Sequence, residues 1–256
     1  MKERERVLWQ KLTRVGVEEA ARAGGVVVQP LGSIEQHGPH LPLDTDIVDA
    51  YEVAVRAARQ VEAFPVLVLP PIWWGLSPFH MPFAGTITLR HETFLALLSD
   101  VATSIKAHGF AKLVLLNGHG GNEMFAGAAA IRLSELGVRT VPITYWHMIA
   151  KEMAELAETD GGSIGHAGEM ETSLQLYLQP DLVDRSYIRP GVGVPYQSVP
   201  KTGFGYRVPR VVEDSKGSGV FGLTERATAA KGERIVALAA QRLAEFLQRF
   251  HDSDEL

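Results

Sequence analysis

The chain has 256 residues, of which 46% are apolar and 21% charged, and its formal net charge is −5. That composition allows a sizeable buried core, and an acidic balance without a basic patch argues against nucleic acid or an anionic membrane as partner. Cysteine is absent, which excludes disulfides, thiolate metal sites and a Cys nucleophile, so any metal must be held by His, Asp, Glu, backbone or water.

After Met1 the chain opens on five charged residues, Lys2 to Arg6, and then becomes amphipathic. No apolar stretch with a small-residue cleavage site follows, and no apolar run approaches the length of a bilayer, so a soluble cytoplasmic protein is expected. Val26 to Leu31 reads as a buried strand. Asp46 to Val61 carries apolar residues at helical spacing, and Pro65 to Leu69 is a second strand. Glu92 to His108 reads as a helix ended by Gly109. Lys112 to Leu116 is the third strand, and Glu123 to Leu136 a helix closed by Gly137. Val138 to Tyr145 is a fourth strand. Glu169 to Leu178 reads as a helix stopped by Pro180, and Arg226 to Phe250 as a long C-terminal helix. Alternating helices and continuously apolar strands predict a three-layer α/β/α fold with a mainly parallel central sheet. The span from Arg189 to Gly222, rich in Gly, Pro and aromatics, reads as irregular loops with a hairpin at most. Residues 1–256 are read as one domain.

Three polar clusters each lie after a predicted strand or at a helix start, where ligands of open parallel sheets gather. The first runs from Gly32 to Asp46 and contains Glu35, His37, His40, Asp44 and Asp46. Glu35 and His37 are two apart, so an extended segment points both to one side, and two metals about 3.5–4 Å apart could each take one. Asp46 could bridge such a pair or merely cap the helix it opens. Spacing alone does not choose between Asp44 and Asp46, or between His37 and His40. The second cluster is Asn117-Gly118-His119-Gly120-Gly121-Asn122, whose glycines leave the imidazole exposed at the sheet edge, with Asn122 expected to cap the following helix. An anion-binding turn is the plainer alternative, but the Lys-Ser/Thr ending of a phosphate loop is missing. The third cluster, Gly165 to Ser173, holds His166, Glu169 and Glu171. Acidic residues in a first helical turn also occur simply because they complement the helix dipole.

These stretches resemble the creatininase (creatinine amidohydrolase) family. The match lies in Gly32 to Pro42, Asn117 to Asn122 and His166 to Ser173, with weaker agreement at Gly75-Leu76-Ser77, His80, Gly85-Thr86 and Gly219 to Gly222. The resemblance implies a creatininase-like fold and two divalent metal ions per chain, of Zn, Mn or Fe type. It places one ion on Glu35, Asp46 and His119. It places the other on His37, the bridging Asp46 and a second carboxylate. Creatinine-cleaving members carry that carboxylate two residues after the His of Asn-Gly-His, where this chain has Gly121. Glu169 is then the expected replacement, and three carboxylates with a bridging hydroxide would neutralise the two ions. The resemblance makes His166 the proton shuttle to the leaving nitrogen and Glu171 the group that orients it.

The expected activity is hydrolysis of a C–N bond in a small molecule, namely an amide, cyclic amide or formamide. Trimming of a short peptide, a mononuclear lyase, and a non-catalytic small-molecule-binding protein are the alternatives. Trp73, Trp74, Phe79 and Trp146 are candidate pocket walls, and Arg189, Lys201, Arg207 and Arg210 candidate anion holders, although both sets have plainer roles in the core or in solvent. The creatinine enzymes carry an aromatic gate where this chain has Gly161 to Ile164. The family implies a homo-oligomer, often a hexamer.

Overall fold

A computed structural model describes residues 6–158, 165–194 and 210–253. Its strands are β1 (Val26–Leu31), β2 (Val66–Val68), β3 (Lys112–Asn117) and β4 (Arg139–Thr144). Among the described residues they form one sheet in the order β2-β1-β3-β4, and every pair is parallel. The larger helices are α1 (Arg14–Arg22), α2 (Thr45–Gln60), α3 (His91–Ala107), α4 (Glu123–Glu135), α5 (Ala150–Leu156), α6 (Glu169–Leu178), α7 (Val211–Asp214) and α8 (Ala229–Asp252).

Side chains alternate across the pleat, and that alternation makes the layers. Val26, Val28, Val66, Val68, Val114 and Leu116 face α2, α6 and α8 through Val53, Ala57, Met170, Leu174, Ile235 and Leu243. Val27, Leu31, Leu67, Leu113 and Leu115 face α1, α3 and α4 through Ala20, Phe94, Leu98, Ala129 and Leu133. The expected three-layer α/β/α fold is the observed one. Thr13 and Thr228 cap α1 and α8 by accepting the backbone N–H groups of Gly16 and Lys231. α8 lies so close to α6 that a Cβ on Gly232 would sit 2.0 Å from Ser173 O. This contact sets where α6 carries its two glutamates.

All four strands run the same way, so the segments after β1, β3 and β4 emerge at one edge of the sheet. α1 and α5 are additions to the sequence reading, and Gly16 in the first turn of α1 weakens its signal. The span from Arg189 to Gly222 also differs from expectation. Its described part contains α7, and Val194 and His166 both bridge Phe221. Tyr196, Lys201, Phe204, Tyr206 and Arg207 lie outside the described residues, as does the stretch Gly161 to Ile164. Among the described residues no helix is long and apolar enough to cross a membrane.

Candidate metal centre

The loop after β1 carries Glu35 and His37, α2 opens with Asp46 in its first turn, and the loop after β3 carries His119. Gly118 lets the loop after β3 press against the first turn of α2, since a Cβ there would lie 2.3 Å from Asp46 O. The four side chains converge in the interior. His37 Nε2 is 3.1 Å from Asp46 Oδ1 and 3.7 Å from Glu171 Oε2. His119 Nδ1 is 3.3 Å from Glu35 Oε1 and 3.0 Å from Asp46 Oδ2. Two groups that could hold a metal ion result, Glu35–Asp46–His119 and His37–Asp46–Glu171, and Asp46 belongs to both. A third group joins Glu35, His37 and His166.

Hydrogen bonds behind the ligand atoms orient both imidazoles. His37 Nδ1 is 3.2 Å from the Glu35 carbonyl, an acceptor only, so Nδ1 keeps a proton and Nε2 faces the carboxylates. His119 Nε2 is 3.1 Å from the Leu76 carbonyl and 3.1 Å from Ser77 Oγ, so here Nδ1 is the atom turned to Glu35 and Asp46.

The donor set is short of positive charge. Burial alone would lower the His37 pKa, but Asp46, Glu171 and Glu35 raise it to about 10. His119 is raised well above its ordinary value against the same burial penalty, by Glu35 and Asp46. Glu35 would be raised by burial, yet His119 and His80 hold it well below the carboxylate range. Burial and Asp46 push Glu171 up to about 7, opposed by His37. Glu35 Oε2 is buried and accepts no hydrogen bond, and Asp46 Oδ2 meets only the His119 ring. A cluster of carboxylates that draws protons onto its imidazoles, with a buried acceptor left over, fits divalent cations held by N and O donors.

Glu169, expected as a ligand, does not join the cluster in this structure. Its carboxylate is 2.7 Å from Lys231 Nζ and accepts the Glu158 backbone N–H at 3.0 Å. Residues two apart on a helix point about 200° apart, so α6 can turn only one of its two glutamates to the sheet edge. The packing of α6 on α8 turns Glu171 there. Glu171 Oε2 accepts the Ala167 N–H beside His37. Its expected hydrogen bond to His166 is replaced by these contacts. Gly121 also has a steric reason, because a Cβ there would lie 2.3 Å from Leu76 O and 2.4 Å from His119 Nε2.

Position separates the candidates of the first cluster. Asp44 accepts from Gln179 Nε2 at 3.1 Å, away from the ligand atoms. His40 Nε2 lies 2.8 Å from Thr172 Oγ1 and ties the loop to α6. Asn122 makes no side-chain cap. Its Oδ1 accepts from Leu76 N and its Nδ2 donates to Gly32 O, bridging three loops. Phe79 lies beside His119, with ring centroids 6.4 Å apart. Trp146 packs against the core, and Trp73 and Trp74 are exposed. Arg189 sits over Tyr187, and Arg210 pairs with Glu213.

Three polar residues around the ligands were not singled out by spacing. His80 Nε2 is 3.4 Å from Glu35 Oε1, Gln36 touches two histidines, and Asp49 accepts from Gln175 Nε2 one turn below Asp46. His80 belongs to the weaker family match, which was the available signal. Asp49 shows as a second inward carboxylate three residues after Asp46, a spacing that shares one helix face.

His40 carries a testable pH dependence. Burial, together with repulsion from His37, lowers its pKa to about 4. The folded protein then keeps it neutral while the unfolded chain protonates near 6.5, so stability falls as pH drops from about 6.5 to about 4. His40→Gln retains a donor for Thr172 and removes the titration. Urea unfolding across this window should show a slope flatter by up to ~1.4 kcal/mol per pH unit. An unchanged slope would remove His40 from the account of acid sensitivity.

Comparison with known proteins agrees with this geometry. The chain matches the model described as creatinine amidohydrolase, named Creatininase, over residues 10–247. It is 36% identical over 218 residues to the mycofactocin precursor peptide peptidase of Mycobacterium tuberculosis, covering 82% of this chain and 80% of that one. It is 30% identical over 252 residues to the creatinine amidohydrolase of Pseudomonas putida, covering 90% and 92% respectively. A solved structure of creatininase with manganese superposes with a TM-score of 0.78 at 28% identity, covering 95% of this chain and 98% of that one.

Proposed function

The chain belongs to the creatininase family, and from that premise we propose that it is a metal-dependent hydrolase that splits a C–N bond of a small amide-like substrate. The observation that carries the reading is the position of Asp46, shared between Glu35–Asp46–His119 and His37–Asp46–Glu171. These residues would hold two divalent ions of Zn, Mn or Fe type, with Glu171 taking the place expected for Glu169. Such ions, when bound, supply a water acidic enough to react near neutral pH and a Lewis acid for the scissile carbonyl.

The chain's own residues do the rest. Burial, with repulsion from His80 and His37, lowers the His166 pKa well below its usual value, so the ring stands neutral beside the cluster. A neutral imidazole there can take a proton released at the cluster and pass it to the leaving nitrogen. Ser77 and the Leu76 carbonyl hold His119, and the Glu35 carbonyl holds His37, so the ligand atoms need no reorganisation.

A second reading, hydrolysis of a short peptide, has two supports. Position 121 has no room for the carboxylate that creatinine-cleaving members use, and the peptidase relative is 36% identical. Both readings break a C–N bond and share the same ligands. The family also supports a homo-oligomer, which sedimentation would read directly.

The decisive experiment strips the protein of metal, reloads it with Mn or Zn, and screens cyclic amides, formamides and short peptides. Hydrolysis abolished by chelator and restored by metal, with two ions per chain, is expected. A folded chain that takes up no ion would end this reading. The two glutamates of α6 give a sharper check. Glu171→Gln should lower metal content by one ion and activity by more than ~100-fold. Glu169→Gln should keep the metal and cost about 2 kcal/mol of stability through the lost pairing with Lys231. The reverse pattern would restore Glu169 as the ligand.

A further inference from the structure

The side chain of Gln36 lies between two histidines, and the donors and acceptors around it favour the arrangement that pairs the most of them. Its Oε1 is 2.9 Å from the Gly38 N–H, which can only donate, so the amide oxygen points there and the NH2 points the other way. Three atoms lie within reach of that NH2. They are His80 Nδ1 at 2.9 Å, His166 Nε2 at 2.8 Å and the Gly219 carbonyl at 3.1 Å. An amide nitrogen has two hydrogens. His166 Nε2 is also 2.9 Å from the Gln36 backbone carbonyl, which can only accept.

If Gln36 donated to His166, the ring nitrogen would be an acceptor facing a carbonyl, and the Gly219 carbonyl would receive nothing from this amide. If His166 Nε2 carries a proton and donates it to the Gln36 carbonyl, the amide is free to serve His80 Nδ1 and Gly219 O, and both carbonyls are paired; the cost is one donor–donor approach, Gln36 Nε2 to His166 Nε2 at 2.8 Å, in place of the acceptor–acceptor approach of the first arrangement. The second arrangement makes three hydrogen bonds where the first makes two, in a buried setting where each unpaired group costs free energy. It puts the proton of neutral His80 on Nε2, aimed at Glu35 Oε1 3.4 Å away. It also leaves Nδ1 of His166 unprotonated toward Glu35 Oε1, 3.7 Å away. The chain accommodates the amide closely, since a Cβ on Gly219 would fall 2.1 Å from Gln36 Oε1.

We propose that Gln36 is a positioning residue that fixes the tautomers of His80 and His166, so that His166 presents a bare Nδ1 to the metal-binding cluster. The functional part of this inference rests on the hydrolase reading, because a bare Nδ1 on that side is what a proton acceptor needs. The tautomers themselves do not depend on it.

Long-range 15N–1H correlation spectra of histidine-labelled, zinc-loaded protein test the proposal, with His80→Gln and His166→Gln providing the assignments. Both rings should show the Nε2–H form in the wild-type chain. Gln36→Glu, which can only accept hydrogen bonds on the His80 side, should move the His80 proton to Nδ1. Gln36→Met should lower kcat about 10- to 100-fold at unchanged zinc content and near-constant KM. An Nδ1–H form of either ring in the wild-type protein would overturn the proposal, and so would a His80 tautomer unmoved in Gln36→Glu. Should Gln36→Glu fail to fold, the wild-type spectrum decides alone. A chain that bound no zinc and hydrolysed nothing would end the hydrolase reading, while the metal-free spectrum would still report the tautomers.

Discussion

Asp46→Asn is expected to remove metal from both ligand groups and to lower hydrolysis by ~1000-fold or more, the scale on which one preorganised charge acts in a buried site. Asp46 is the residue common to Glu35–Asp46–His119 and His37–Asp46–Glu171, with one oxygen beside each imidazole. Asparagine keeps the volume and one acceptor but removes the charge. Metal content measured on the purified variant, alongside activity, separates this from a folding defect. A variant that retained both ions would show that Asp46 is only a helix residue near the site.

The same substitution has a consequence for the metal-free protein. His37, raised to about 10 chiefly by Asp46 against its burial, has a higher pKa folded than unfolded. Its contribution to stability is therefore fully present below about pH 6.5 and is lost as pH rises toward about 10. Asp46→Asn should remove most of that dependence. Thermal melts of metal-free wild type and variant between these pH values would read it, and parallel curves would contradict it.

His166→Ala is expected to lower kcat by ~100- to 10,000-fold with metal content unchanged. The two ligand groups that share Asp46 do not include His166, so the ions should stay. The backbone pairing of His166 with Phe221 does not need the ring, so the fold should survive as well. Loss of an ion on substitution would give a different answer. It would mean that the group Glu35–His37–His166 binds metal, and that His166 is a ligand and not a proton carrier. Full activity with full metal would leave His166 without a role in the reaction.

The sheet was readable because its strands are short apolar runs between glycines and helices. β1 has the predicted bounds, and α6 matches the predicted span Glu169 to Leu178. The ligand types were readable too, since Glu35 and His37 stand two apart and His119 sits between glycines after β3. Less legible was the direction each side chain takes. Spacing left Asp44 level with Asp46 and His37 level with His40, and the choice of Glu169 over Glu171 followed family reasoning where helix rotation decides. Gln36 stood inside the matched motif and drew no attention, because its partners His80, His166 and Gly219 are 44, 130 and 183 residues away.

Local pattern and residue chemistry therefore determined, from sequence, the layered parallel fold, the edge at which the polar loops gather, and a donor set without sulfur. Those properties depend on neighbours within a few positions, which any chain segment carries with it. Tertiary structure alone decided which carboxylate of α6 faces His37, because that depends on how α6 seats against α8 at Gly232 and Ser173. It alone decided which nitrogen of each histidine is free, because the groups that claim the other nitrogen come from distant loops. Rotation of a helix by packing and occupation of a ring nitrogen by a remote carbonyl leave no periodic trace in the order of residues.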